Sequence, residues 1–194
     1  MAILPDLSQK LSWTLHSLRF IKKHLLLILF LGLVAGLGRA AQLRAFGPIS
    51  PMLDTFLEIV IQTARILIFL FSLGLTNIKK GINRFLKIFS PQTSDRPNWK
   101  TALTILKQQW IAVVLNISAF MVIAFLINLL IDHIAYETCL YATLRADGII
   151  SSDSSEWSII LFLKNISIIP LTLVFNATLL LWFVNRVPQQ VSKA

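Results

Sequence analysis

Four long apolar stretches separated by shorter polar segments dominate the hydrophobic pattern of the chain. They cover residues 24–43, 53–76, 109–133 and 157–184. A helix needs about 20 apolar residues to cross the hydrocarbon layer of a bilayer, and backbone groups in lipid must pair within their own segment. The pattern therefore predicts an all-α, polytopic integral membrane protein with four transmembrane helices, in which residues 1–194 form a single transmembrane domain.

The first apolar stretch, from His24 to Gly38, has some features of a secretory signal. Gly38 and Ala40 stand where a cleavage site would lie. The polar segment before the stretch is long for the charged leader of a signal. We therefore expect this stretch to be a retained transmembrane helix.

Local signals mark where the predicted helices begin and bend. Ser50 suits an N-cap, Pro51 the first helical position, and Asp54 the first turn, where acids favour the helix dipole. Helical periodicity of the third span begins near Asn98, so we expect this helix to project beyond the membrane. Pro170 lacks a backbone donor and predicts a kink near the middle of the fourth span.

The charges outside the spans predict how the chain is oriented. Basic residues concentrate before the first span, in the connection 77–108 and at the carboxyl terminus, whereas the loop 134–156 is acidic. The positive-inside rule then places both termini and the connection 77–108 in the cytoplasm, with the loop 134–156 outside. The compact loops and the strong charge bias favour a bacterial inner (plasma) membrane.

The net charge of +9 has a topological explanation. In a soluble protein such an excess would suggest nucleic-acid binding. Here the basic residues flank apolar spans, and no basic motif with interleaved aromatic residues is present to stack bases. We therefore predict no nucleic-acid partner.

Two cytoplasmic segments are amphipathic at helical spacing. Their apolar positions are Leu7, Leu11, Leu15 and Leu18 in the first and Ile78, Ile82, Phe85 and Phe89 in the second. Such segments lie in the headgroup layer, which predicts contact with membrane lipids. A docking surface for a helix of a partner protein is the alternative.

The second span carries a polar residue on nearly every turn of one helical face. The positions are Thr55, Glu58, Gln62, Arg65, Ser72 and Thr76. Lipid cannot hydrogen-bond these groups, so we expect the face to contact other helices, a water-filled cavity or a partner.

Polar residues of three spans are the candidates for a shared site. The predicted intramembrane network or pathway consists of Glu58, Gln62, Arg65, Asn128, Asp132, Lys164 and Asn165. In one interpretation it is internally neutralised and fixes helix register, or pairs with charges on a neighbouring subunit. In the other, Arg65 and Lys164 attract an anion while Glu58 gates or exchanges a proton.

The remaining candidate residues point to packing rather than chemistry. Gly32 and Gly36 form a GxxxG motif, which suits close helix packing within the chain or in a dimer. The histidines lie on different sides of the predicted membrane, so no pair can bind one buried haem. The sequence also lacks a nucleophile elbow, an HExxH pair and a phosphate-binding glycine loop. We therefore predict no cofactor, no metal and no enzymatic activity.

These observations favour a non-enzymatic accessory or scaffold subunit of a larger membrane protein complex. Its partners would be other membrane protein subunits or further copies of the chain. The alternative is a small oligomeric transporter or channel with a polar path along the second helix. An intramembrane enzyme acting on lipid would need a cavity that joins Glu58 or Asp132 to the outer leaflet.

Overall fold

The computed structural model describes residues 11–89 and 99–191. Within these ranges every regular element is helical, which confirms the all-α prediction. The α-helices are α1 Ser12–Lys23, α2 Leu25–Gln42, α3 Pro51–Leu73, α4 Ile78–Phe89, α5 Trp99–Gln108, α6 Trp110–Asp132, α7 Leu140–Ala146, α8 Trp157–Ile166 and α9 Ile168–Val191, and a π-helical turn spans His133–Glu137.

Four helical stretches are long and apolar enough to cross a membrane, as the hydrophobic pattern predicts. They are Leu25–Gln42, Pro51–Leu73, Trp110–Glu137 and Trp157–Trp182. The third joins α6 to the π-helical turn, and the fourth joins α8 to most of α9. The start of α3 also follows its sequence signals, because the Ser50 hydroxyl accepts a hydrogen bond from the Leu53 N–H at 3.3 Å.

The fourth apolar stretch is interrupted at Ser167, where φ is −122° and ψ is −82°. Pro170 has no N–H to donate to the carbonyl of Ile166, so the helical ladder cannot pass through this point intact. The Ser167 hydroxyl donates instead to the Leu163 carbonyl at 2.6 Å. The kink expected from Pro170 therefore falls three residues before the proline, between α8 and α9.

The long helix predicted from Asn98 has two segments. Asn98 itself lies outside the described residues, and α5 begins at Trp99 and ends at Gln108. A turn at Gln109 separates it from α6. The prediction of one continuous helix is therefore wrong at this point, and nothing in the structure explains why the break falls at Gln109.

The contacts divide the chain into two compact units. Of the described residues, the first comprises 11–23, 69–89, 99–122 and 173–191, and the second comprises 24–68 and 123–172. Three helices, α3, α6 and α9, contribute residues to both.

In the first unit, a side chain of α6 caps the amino-terminal end of α1. The Asn116 Oδ1 atom accepts hydrogen bonds from the Trp13 N–H at 3.2 Å and the Thr14 N–H at 3.0 Å. The Thr14 hydroxyl is 3.1 Å from the same oxygen. The first backbone N–H groups of a helix lack partners inside it, so Asn116 does for α1 what an N-cap residue does for its own helix.

The side chains of α1 that pack inside this unit are not the leucines that the sequence predicts to face the headgroup layer. Trp13, Thr14, Ser17 and Phe20 are buried, and the Trp13 ring lies 4.4 Å from that of Trp182. Leu11 and Leu15 are half-buried and Leu18 is exposed. Leu7 and the side chain of Phe89, which completed the two predicted amphipathic segments, lie outside the described residues.

A tight helical hairpin joins α3 to α4 in the same unit. Leu75 and Thr76 take positive φ values of 49° and 83° in the turn. The Arg84 guanidinium donates to the Leu73 carbonyl at 2.8 Å, near the end of α3. A Cβ atom at Gly81 would overlap the Leu70 carbonyl oxygen. Only glycine permits this approach of α4 to α3.

In the second unit, α2 packs closely against the interrupted fourth stretch. A Cβ atom at Gly32 would lie 3.0 Å from the Asn165 carbonyl oxygen and 3.1 Å from the Ile166 Cα. A Cβ atom at Gly36 would lie 3.0 Å from the Phe162 ring. The two GxxxG glycines thus lie against α8 of the same chain. Ala35, Ile61 and Ala64 form a buried cluster between α2 and α3.

Candidate functional site

The polar residues of α3 in the second unit form two separate groups. The first, termed the carboxylate cluster, comprises Arg39, Gln42, Glu58 and Gln62. The Arg39 Nη1 atom lies 3.1 Å from Glu58 Oε2, and Arg39 Nη2 lies 3.5 Å from Oε1. Gln42 donates to Oε2 at 3.2 Å, and Gln62 donates to Oε1 at 2.7 Å. The Glu58 carboxylate is therefore ion-paired with Arg39, and each of its oxygens accepts a hydrogen bond from a glutamine amide.

Arg39 and Gln42 were absent from the predicted network. Arg39 lies within the first apolar stretch, in the last turn of α2. Gln42 is one turn further on, so both side chains reach the same carboxylate on α3. The sequence did carry a signal for this contact. Arg39 and Gln42 are one turn apart at the end of one span, and Glu58 lies in the first half of the next span.

The second group, termed the arginine–asparagine pair, joins the middle of α3 to α8. Arg65 Nε and Nη2 donate to Asn165 Oδ1 at 3.2 and 2.8 Å. Asn165 is buried, and its Nδ2 donates to the Leu161 carbonyl at 2.7 Å. Asn165 lies two residues before the break at Ser167, and Gly32 of α2 lies against the backbone of Asn165 and Ile166.

The two groups differ in charge balance. In the carboxylate cluster, the Arg39 cation and the Glu58 anion cancel. Asn165 is neutral, and Arg65 makes no ion pair with any carboxylate in the described ranges 11–89 and 99–191. The half-buried Arg65 guanidinium is therefore hydrogen-bonded but not neutralised.

Three of the predicted residues belong to neither group. Asn128 donates to the Ala124 carbonyl of its own helix at 2.9 Å. Asp132 is exposed at the end of α6. Lys164 is half-buried, and within the part of the chain that the structure describes its ammonium makes no hydrogen bond or ion pair. The structure thus joins Glu58 to Gln62 and Arg65 to Asn165, and leaves the other three apart.

One side of α3 is not covered by the rest of the chain, and it is partly polar. The exposed α3 face comprises Met52, Phe56, Ile59, Gln62, Thr63 and Ile66. The Glu58 side chain, which borders this face, is 41% exposed. Gln62 stands 11 residues after Pro51, about 17 Å along a helix of about 34 Å. A polar amide is therefore exposed near the centre of a membrane-spanning helix.

The exposed side of α6 has a different character. Apart from Ser118, its exposed residues between Trp110 and Leu130 are apolar. Only 6% of the most apolar 18-residue segment of this stretch is buried by the rest of the chain. Such a surface is suited to contact with lipid acyl chains, which do not hydrogen-bond. Of these two exposed surfaces, that of α3 carries the amide of Gln62, to which lipid acyl chains cannot hydrogen-bond.

The length and composition of its helices define the chain as an all-helical, multi-pass membrane protein. Comparison with protein-family models, with curated proteins and with solved structures finds no significant match. Its function is therefore argued from its own residues.

Proposed function

We propose that the chain is a non-enzymatic accessory or scaffold subunit of a larger membrane protein complex, and that α3 contacts the partner. The observation that carries the proposal is the exposed Gln62 near the centre of α3, beside Thr63 and the partly exposed Glu58. Polar groups at this depth are costly in lipid and are commonly paired across helices. A partner helix that covers this side of α3 would supply hydrogen bonds to Gln62 that lipid cannot make.

The polar network supports assembly more than transport. Glu58 is held by Arg39, Gln42 and Gln62, which occupy both carboxylate oxygens. A carboxylate held by an ion pair and by hydrogen bonds from two amides is poorly placed to exchange a proton or to bind a passing cation. The arrangement suits a fixed charge that positions α2 against α3.

The proposed orientation places both termini and α4 in the cytoplasm of a bacterial inner membrane. It rests on the positive-inside distribution of Lys and Arg. On α4, Ile78, Ile82 and Leu86 are exposed beside the exposed Lys79 and Lys80. This pattern supports a helix that lies in the headgroup layer, with its lysines near anionic lipid.

The proposal is tested by the mass and polypeptide composition of the native particle, extracted in mild detergent or with its surrounding lipid. We expect other polypeptides in fixed ratio to this chain. We also expect Gln62→Leu to reduce the amount of partner recovered. Ser118→Ala is the matched control, because Ser118 is an exposed polar residue of another span and should leave the ratio unchanged.

A particle that contains this chain alone would overturn the accessory-subunit proposal. In that case the transporter alternative would be tested with the purified chain in sealed vesicles. Arg65→Ala and Glu58→Gln would then change flux while the particle mass stayed constant.

A further inference from the structure

We infer that the partner of α3 is a different polypeptide whose transmembrane helix places an Asp or Glu carboxylate against Arg65. The inference rests on the proposed function and specifies the chemistry of the partner. It follows from the charge left on Arg65, from the pairing of Glu58 with Arg39 and from the exposure of Gln62.

Glu58 is not available to neutralise Arg65. An ionised carboxylate has about four acceptor positions, and Glu58 already accepts three hydrogen bonds, from Arg39, Gln42 and Gln62. It also precedes Arg65 by seven residues, which is about 10 Å along the helix axis. Its charge is matched locally by Arg39.

The hydrogen bonds of Arg65 leave room for a carboxylate. A guanidinium offers five N–H donors in a planar fork. Two donor atoms, Nε and Nη2, share the one oxygen of Asn165, and Nη1 has no partner within the described ranges. A carboxylate can bind the remaining N–H groups of Nη1 and Nη2 through two oxygens, and it supplies the opposite charge, which an amide cannot. The half-exposure of Arg65 leaves it accessible.

Gln62 lies one turn from Arg65 on the same helix and opens onto the exposed α3 face. Its amide both donates and accepts hydrogen bonds. A partner helix lying along this face would contact Gln62, Thr63 and Ile66 while its carboxylate approached Arg65. The exposed α3 face therefore provides an apolar contact surface, and Arg65, one turn from Gln62 beside that face, provides a position for one acid.

A second copy of the chain does not meet this requirement. Copies inserted with the same orientation hold Arg65 at the same depth, so a symmetric α3–α3 contact would bring the two cations together. Like charges repel strongly where water is excluded. Of the two acids of α3, Asp54 lies about 17 Å from Arg65 along the helix axis, and Glu58 is already paired with Arg39, so neither supplies a carboxylate at the depth of Arg65.

The depth of Arg65 favours a side-chain carboxylate over a lipid phosphate. Arg65 stands about 21 Å from the start of α3 and about 12 Å from its end, at 1.5 Å per residue. Lipid phosphates lie outside a hydrocarbon layer of about 30 Å. A transmembrane helix can place an Asp or Glu at the depth of Arg65, whereas a headgroup would have to enter the hydrocarbon.

The test compares variants of the full chain in native membranes, with partner recovery and thermal stability measured on the same extracted particle. Arg65→Met removes the cation, and we expect at least a tenfold loss of partner. Arg65→Lys keeps the charge and should retain part of the binding. Arg145→Met is the matched control, because Arg145 is exposed on α7 outside the four apolar stretches.

Asn165→Asp gives a readout that does not depend on removing the arginine. It places a carboxylate where Oδ1 already accepts from Arg65. We expect this internal acid to compete with the acid of the partner and lower partner recovery. The new ion pair with Arg65 should offset the lost hydrogen bond from Nδ2 to the Leu161 carbonyl, so the thermal stability of the chain is kept. A folding defect would lower stability as well, so the two causes are distinguishable.

The recovered partner itself provides the final criterion. It should carry an Asp or Glu within an apolar stretch, and exchanging that acid for Lys should restore binding to Arg65→Glu. Full partner recovery with a folded Arg65→Met variant would overturn the inference and leave the subunit proposal standing. Loss of a bound anionic lipid, with the partner retained, would also overturn it. A particle without any partner would contradict the proposed function itself.

Discussion

Gly81 of α4 lies so close to the Leu70 carbonyl oxygen of α3 that a Cβ atom at position 81 would overlap that oxygen. Helix propensity alone predicts that Gly81→Ala stabilises α4 by about 1 kcal/mol. The contact predicts the opposite sign, because backbone must move to admit the methyl group. We expect a net loss of about 1–3 kcal/mol, measured as thermal unfolding in a fixed detergent.

Asn83→Ala provides the control for Gly81→Ala. Asn83 is exposed on the same helix, so this change alters helix propensity without the overlap and should be neutral or slightly stabilising. If Gly81→Ala were as stable as Asn83→Ala, α4 would not be held against α3 in this way.

The cap that Asn116 provides for α1 predicts a second stability effect. Asn116→Leu removes the acceptor for the Trp13 and Thr14 N–H groups. We expect a loss of about 1–2 kcal/mol, typical of a lost N-cap, and faster hydrogen exchange in the first turn of α1. Asn128→Leu is the control, because the Asn128 amide donates only to its own helix. Equal effects of the two changes would argue against the capping role.

The Arg39–Glu58 ion pair predicts a non-additive effect. Arg39→Gln and Glu58→Gln each leave one uncompensated charge beside α3, so each should lower the thermal unfolding temperature. The double variant restores neutrality and should lose less than the two single changes together. Both side chains are partly exposed, so we expect a coupling energy of about 1 kcal/mol or less. Strictly additive losses would contradict the pairing.

The orientation can be tested with the native cysteine. Cys139 is the single cysteine of the chain and is exposed between the π-helical turn and α7. With both termini inside, it faces outward, so a membrane-impermeant maleimide should label intact cells. Cys139→Ser combined with Asn83→Cys should react only after permeabilisation. The reverse pattern would invert the proposed topology.

Hydrophobic runs, capping residues and proline made most of the fold predictable. The four apolar stretches are visible because each continues for a membrane thickness, and Ser50 and Pro170 act locally on their own helices. The positions where α5 meets α6 and where α6 becomes a π-helical turn carry no comparable signal. Neither position contains proline or glycine, so local sequence signals do not predict the interruption.

The candidate site was predictable in composition but not in pairing. Helical spacing identified Glu58, Gln62 and Arg65, yet charge alone suggested that acids and bases of the spans would cancel one another. The structure pairs Glu58 with Arg39 and gives Arg65 a neutral amide. Which groups meet depends on how α2 and α8 lie against α3, and the close approach at Gly32 and Gly36 sets the contact of α2 with α8.

The contact between Thr14 and Asn116 also orders events in time. The two residues are 102 positions apart in the chain, and ribosomes add about 5–20 residues per second. About 5–20 seconds therefore pass between synthesis of α1 and synthesis of the residue that caps it. During that interval the nascent chain holds α1 without its cap, and the third apolar stretch must be made before α1 can settle into its final position.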